Sequence, residues 1–172
     1  MYIGLLCEGN SEVQLMQYLL DKNALIFSKE QIIDRRPIHA RQGKKIKPII
    51  DSMPIDVDIV LYRIGDTLKE KFDLSCFGEK RKSHITIIDI NTKPEIEILI
   101  IIKEGLYNEY LKLKSKIKPK QFIKQYLKEY SNFNDYLLQN NLILAIKEYK
   151  RLKHSNKNNR NNIFLADIIN YQ

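Results

Sequence analysis

The apolar run Tyr2 to Cys7 breaks off abruptly in Glu8-Gly9-Asn10-Ser11-Glu12. Six apolar residues are too few for a helix and suit a buried strand. Beyond the break, Val13, Leu15, Met16, Leu19 and Leu20 fall roughly on one helical face, so Met1 to Leu20 reads as strand, tight turn, helix. Gly9 permits the sharp turn, and Asn10 or Ser11 can cap the new helix, which ends at Asp21-Lys22-Asn23. From Gln31 to Ala40 the isoleucines Ile32, Ile33 and Ile38 give strand character, interrupted by Arg35, Arg36 and Pro37, and the proline predicts an edge or irregular strand. A glycine turn loaded with cations, Arg41 to Lys47, then leads into a short helix through Ile49, Ile50 and Met53.

Asp56 to Thr67 (DVDIVLYRIGDT) is the second clear strand, and His84 to Asn91 (HITIIDIN) the third, β-branched at nearly every position. Between them, Leu68 to Lys82 has little periodicity and reads as a loop with room for one helical turn, a candidate mobile flap. Thr92 as N-cap, Pro94 just inside and Glu95 at the third helical position form a capping-box pattern, with Gly105 as the natural stop after Ile102 and Lys103. From Leu106 onward the pattern is helical: one helix begins at Tyr107, Tyr110 and Leu111, and a second restarts at Pro119 with Phe122, Ile123, Tyr126 and Leu127. Asn132 to Asp135 caps a third that carries Tyr136 to Tyr149. Lys153 to Asn162 reads as a polar loop, and Ile163 to Tyr171 as a short amphipathic helix. The pattern predicts an α/β core over residues 1–105 with a mainly parallel sheet, followed by a basic helical part, 106–172, packed on the same domain.

A chain of 172 residues suffices for one domain with a real core, and 44% hydrophobic with 29% charged residues is ordinary for a globular protein. The net charge of +8 changes the picture by pointing to a polyanionic partner, nucleic acid first. Lys112, Lys114, Lys116, Lys118 and Lys120 either track a phosphate backbone or form a solvated basic face. The longest apolar stretch, Ile96 to Ile102, is far too short to span a bilayer. Met1 is not followed by a basic n-region, so no signal peptide is expected, and two thiols suggest a reducing cytoplasm rather than a disulfide framework. Cys7 and Cys76 match no metal or redox spacing, and burial in the apolar run would raise the Cys7 pKa. His39, His84 and His154 are scattered without zinc-ligand spacing, and no GxSxG, GxGxxG or Walker A motif occurs.

The candidate chemistry lies in acids that follow strands. Glu8 ends the first strand and Asp66 the second, while Glu97 stands among isoleucines and leucines just after the third. Asp56 and Asp58 both lie at the other end of the second strand from Asp66, so in a parallel sheet they would fall on the opposite edge from Glu8, Asp66 and Glu97. Glu12 either favours the helix start through the macrodipole or joins the site. If the strands are parallel and adjacent, these acids converge on the edge where open α/β sheets bind ligands. Oxygen ligands of this kind suit Mg²⁺ or Mn²⁺, which assist phosphodiester hydrolysis by orienting water and offsetting charge on the phosphate. Lys44, Lys45, Lys47, Arg63, Lys69 and Lys93 are the cations placed to hold the polyanion, although the Arg41–Lys47 turn lacks a full P-loop pattern and can equally be a solvated loop.

Cys7-Glu8-Gly9-Asn10-Ser11-Glu12 resembles the first motif of TOPRIM-like proteins, and Ile59 to Asp66 resembles their later strand ending in Asp. Lys93 to Leu99 is similar to the Pro-x-x-Glu helix of the RloB-like branch, found beside restriction and abortive-infection genes. The resemblance covers roughly the first ~105 residues, compatible with a small domain, and none of the helical remainder. It implies a Rossmann-like parallel sheet and Mg²⁺-dependent cleavage of DNA or RNA, in phage defence or mobile-element biology. It would make Glu8 the general acid/base or a metal ligand and Asp66 a metal ligand. Such proteins often work with an ATPase partner. The sequence departs from the family where Asp-x-Asp is usual, since Thr67 and Leu68 follow Asp66. A second carboxylate ligand would then come from Glu97 or Glu12. The same departure leaves open a non-catalytic module, binding nucleic acid or a partner, on the same fold.

Overall fold

The computed structural model describes residues 1–66, 68, 71–93, 95–154 and 163–171. Its centre is an all-parallel sheet of four strands in the order β2-β1-β3-β4: β1 (Tyr2–Cys7), β2 (Ile38–His39), β3 (Ile59–Gly65) and β4 (Ile85–Asn91). Around it stand eight helices among the described residues: α1 (Asn10–Asp21), α2 (Gly43–Asp51), α3 (Glu79–Lys82), α4 (Ile98–Lys103), α5 (Tyr107–Leu113), α6 (Pro119–Tyr126), α7 (Phe133–Gln139) and α8 (Ile143–His154). This is an α/β fold of Rossmann-like architecture.

Alternation along the strands sorts the core into two layers. Ile3, Leu5 and Cys7 of β1 face the larger layer, where Leu15, Met16 and Leu19 of α1 meet Leu99 and Ile100 of α4, Phe122 of α6 and Ile146 of α8. Leu6, Ile59 and Leu61 face the smaller layer, built with Ile46 and Ile50 of α2 and with Phe72 and Phe77. β1 and β3 are apolar on both sides because both faces are covered at the centre of the sheet, whereas on the edge strand β4 only Ile90 is buried and Thr86 and Asp89 are exposed. Tyr110, Phe133, Leu137 and Tyr149 from beyond residue 105 lie in the larger layer beside β1 and α1. The helical C-terminal part therefore shares one core with the strands.

Several local expectations change. In place of one strand over 31–40, the chain forms 3₁₀ turns at Lys29–Gln31 and Ile33–Arg35 and then the two-residue edge strand β2. The cap of α1 is Gly9, and no side chain bonds at that cap. The capping box at Thr92 is absent. The Thr92 N–H continues the sheet by donating to the Gly65 carbonyl (2.9 Å), so α4 starts only at Ile98, with Glu97 at its N-cap, and it ends before Gly105 at φ 72° as expected. Glu95 instead accepts from the Lys120 backbone N–H (3.2 Å), which ties the start of α6 to this loop. The expected flap is no free loop where it is described, because Phe72 and Phe77 are buried against α2, while Glu79–Lys82 forms the one helical turn expected in this stretch. The single helix expected after Asn132 divides into α7 and α8. Asn132 does cap α7, accepting from the Asp135 N–H (3.0 Å). Lys153 and His154 belong to α8, and the rest of the expected polar loop, 155–162, lies outside the described residues. Ile163 forms a parallel bridge to Ile90, and a 3₁₀ turn at Leu165–Ile168 replaces the expected final helix. Among the described residues, no helix is long and apolar enough to cross a membrane.

Candidate active site

In the order β2-β1-β3-β4 the chain leaves β1 towards β2, then returns to lay β3 on the other side of β1. At such a reversal the connecting helices go to opposite faces, and the carboxyl ends of the two strands open into a crevice. Here α1 packs on the larger layer and α2 on the smaller, and the strands that flank the reversal end in Glu8 and in Gly65-Asp66.

Glu8 is buried, and its N–H donates to the Ile64 carbonyl, so the strand pairing runs to the acid itself. Its carbonyl is the acceptor for His39 Nε2 (2.9 Å) and Arg41 Nε (3.1 Å). The Glu8 side chain lies across Gly65: a Cβ at that glycine would meet Glu8 Oε2 at 2.3 Å and its Cγ at 2.4 Å. Only a residue without a side chain leaves this space, and Asp66, partly exposed, is the next residue.

Glu12 and Glu97 are buried on the α1–α4 side, 7% and 5% exposed. Neither is ion-paired to a described cation; each is held by a hydroxyl instead. Ser11 Oγ donates to Glu97 Oε1 (3.1 Å), and Thr92 Oγ1 to Glu12 Oε1 (3.4 Å). Burial raises the Glu12 pKa above its ordinary 4.5, and the negative charges of Glu97 and Asp66 raise it further. The influence of both acids on Glu12 brings the three into one electrostatic neighbourhood. Burial pushes the Tyr130 hydroxyl up to about 12, helped by the Glu97 charge. Ser11 and Thr92 carry only a helix-capping signal in the sequence and Tyr130 none, because their contacts with the acids exist only once α1, the end of β4 and the later helices meet. Burial raises the Cys7 thiol pKa strongly, as expected of an inert core cysteine.

The fold thus gathers Glu8, Glu12, Asp66 and Glu97 at one sheet edge, but not into a finished cage. Among the described residues, no group of three His, Cys, Asp or Glu side chains could hold a metal ion.

The predicted cations divide. Lys44 and Lys45 are exposed in the first turn of α2, and Lys93 is exposed between β4 and α4 at the carboxyl edge. Lys47 pairs with Asp51 and lies over the Phe77 ring (5.7 Å), which makes it part of the outer face of α2. Arg63 is 8% exposed within β3, paired with Asp89 (3.2 Å) and stacked over Phe72 (5.2 Å), an engagement within the sheet layers rather than a surface for a polyanion. Lys69 lies outside the described residues. Lys118 and Lys120, at the end of the exposed lysine run, meet Glu95 next to this edge.

Comparison with protein-family models, with characterised proteins and with solved structures finds no match.

Proposed function

We propose that the chain is a TOPRIM-like, divalent-cation-dependent nuclease that hydrolyses phosphodiesters of DNA or RNA at the carboxyl edge of its sheet. The observation that carries this reading is the burial of Glu12 and Glu97 at the sheet edge where Glu8 and Asp66 end their strands, without a described cation against either. Burying like charges is costly unless a cation offsets them or one of them keeps a proton. Acids held this way at a topological switch point make sense as a site and little sense as a scaffold.

Their oxygen donors fit Mg²⁺ or Mn²⁺. Magnesium usually takes one or two protein carboxylates and completes its shell with waters and substrate phosphates, so a cage of three side chains is not required. Glu8 and Asp66 would hold the ion, with Glu12 or Glu97 supplying the further carboxylate. A bound ion would orient water and offset charge on the scissile phosphate. The chain itself fixes the Glu8 backbone through His39 and Arg41, lays the Glu8 side chain on Gly65, and orients Glu12 and Glu97 through Thr92 and Ser11. The exposed lysines supply the field that draws in a polyanion. A setting in phage defence or mobile-element biology, alone or with an ATPase partner, belongs to the same proposal.

A non-catalytic binding module is the second reading, and Asp66-Thr67-Leu68 in place of Asp-x-Asp favours it, as does the lack of a three-residue ligand group among the described residues. One assay separates the two. Purified protein is incubated with single- and double-stranded DNA and RNA in Mg²⁺, in Mn²⁺ and in EDTA. The nuclease reading predicts cleavage in either metal and none in EDTA. Binding without cleavage in any metal selects the module.

A further inference from the structure

The end of β2 and the turn after it border an open cleft of about 470 Å³ lined by His39, Arg41, Gln42, Lys44 and Lys45. No acid lines it, and none of its basic side chains is ion-paired within the described residues. Two of its walls are tied to the candidate active site, because His39 and Arg41 both bond the Glu8 carbonyl. A carbonyl oxygen only accepts, so His39 carries its proton on Nε2, and Arg41 spends Nε there, leaving the terminal nitrogens of its fork for another acceptor. Lys44 and Lys45 belong to the first turn of α2, whose dipole also favours an anion at this place. Through His39 and Lys45 the cleft adjoins a second cavity of about 740 Å³ with a mixed lining, in which Ile38, Ile49 and Leu137 stand beside polar side chains; its two acids, Asp21 and Asp34, pair with Lys29 and Arg36.

We propose that this cleft is a backbone-phosphate subsite for a nucleic-acid strand: Arg41, Lys44 and Lys45 hold one phosphodiester beside the strand end that bears Glu8. The inference rests on the nucleic-acid substrate of the preceding section and adds where the strand is gripped. An open basic cleft continuous with a larger groove of mixed polar and apolar lining suits an extended strand, phosphate in the one and flanking nucleoside in the other, better than a small free anion.

The test measures binding of the full chain to a labelled single-stranded oligonucleotide by fluorescence anisotropy, in EDTA so that nothing is cleaved, across about 50 to 200 mM salt. Lys44→Gln/Lys45→Gln, both at exposed positions, is compared with a control of equal charge change at exposed positions on α6 and just beyond it, Lys124→Gln/Lys128→Gln. The subsite predicts at least about tenfold weaker binding for the cleft variant and a loss of about 1.4 from the slope of log K against log salt, two contacts at ~0.7 each. The control should lose less than about twofold. Equal losses in both variants, or none in either, would overturn the subsite. A 5′-phosphorylated oligonucleotide should bind no tighter than its 5′-hydroxyl counterpart; a preference for the phosphorylated end that the cleft variant abolishes would overturn the backbone assignment. Cleft-dependent binding by a protein that cleaves nothing would reject the nuclease and keep the subsite. Normal binding by the cleft variant, while Glu8→Gln stops cleavage, would do the reverse.

Discussion

Gly65→Ala should stop cleavage about as completely as Glu8→Gln, although it removes no functional group. The added methyl would sit 2.3–2.5 Å from the Glu8 carboxylate and Cγ, far inside contact distance, and a side chain is the part that can yield. Glu8 must swing off the crevice while the strands stay paired. Loss of a positioned acid or base costs typically about 10²–10⁴-fold in rate, and both variants are expected in that range. Overpacking costs about 1–3 kcal/mol, which a domain of ordinary stability survives. Gly78→Ala is the matching control, since a Cβ there meets nothing within 4 Å, and it should change neither rate nor stability. Cleavage rates and circular dichroism on the three variants decide the matter. A folded Gly65→Ala protein with full activity would remove Glu8 from the site.

Glu12→Gln is expected to make the protein more stable at neutral pH while impairing it as an enzyme. In the folded chain, burial and then the charges of Glu97 and Asp66 raise the Glu12 pKa above 4.5. As pH rises from about 4.5 towards that folded value, the unfolded chain releases its proton while the folded chain keeps it. Stability therefore falls across this window, and the full penalty stands at neutral pH. Glutamine keeps an oxygen for the Thr92 hydroxyl but carries no charge, so the penalty disappears with it. For a chain of this size each kcal/mol recovered should raise Tm by about 2–4 °C at pH 7.5, and the advantage should shrink towards zero below about pH 4.5. Millimolar Mg²⁺ should narrow the difference from the other side by stabilising the unsubstituted protein more than the variant. A Glu12→Gln protein less stable at pH 7.5 than the unsubstituted chain would show that the acid has a structural task here.

The sheet was legible because its strands announce themselves. Buried parallel strands need apolar residues on both faces, and YIGLLC and IVLYRIG supply them, while the edge strand ITIIDIN stood out by its β-branched residues; each ends at a polar break. Pro37 pointed to an edge or irregular strand, and β2, which starts just after it, is a two-residue strand at the sheet edge. Local pattern failed where a tertiary bond claimed the same group. Thr92, Pro94 and Glu95 look like a helix start, but the Thr92 N–H is taken by Gly65, its hydroxyl goes to Glu12, and Glu95 serves α6. Arg63 looked like a phosphate ligand because charge in a strand end is conspicuous, yet Asp89 lies directly across from it in the register. Glu8 and Asp66 stood out by position alone. Nothing in the one-dimensional pattern revealed that Gly65 is the floor under Glu8 or that Ser11 reaches Glu97, contacts that exist only between segments far apart in the chain.

Anomalous diffraction from crystals soaked in Mn²⁺ addresses the acids as a group. If they act together, one peak appears in the crevice between β1 and β3, about 2.1 Å from a carboxylate oxygen of Glu8 or Asp66, and it vanishes in Asp66→Asn crystals. A crevice without a peak, at Mn²⁺ concentrations that support cleavage in solution, would contradict the proposed site.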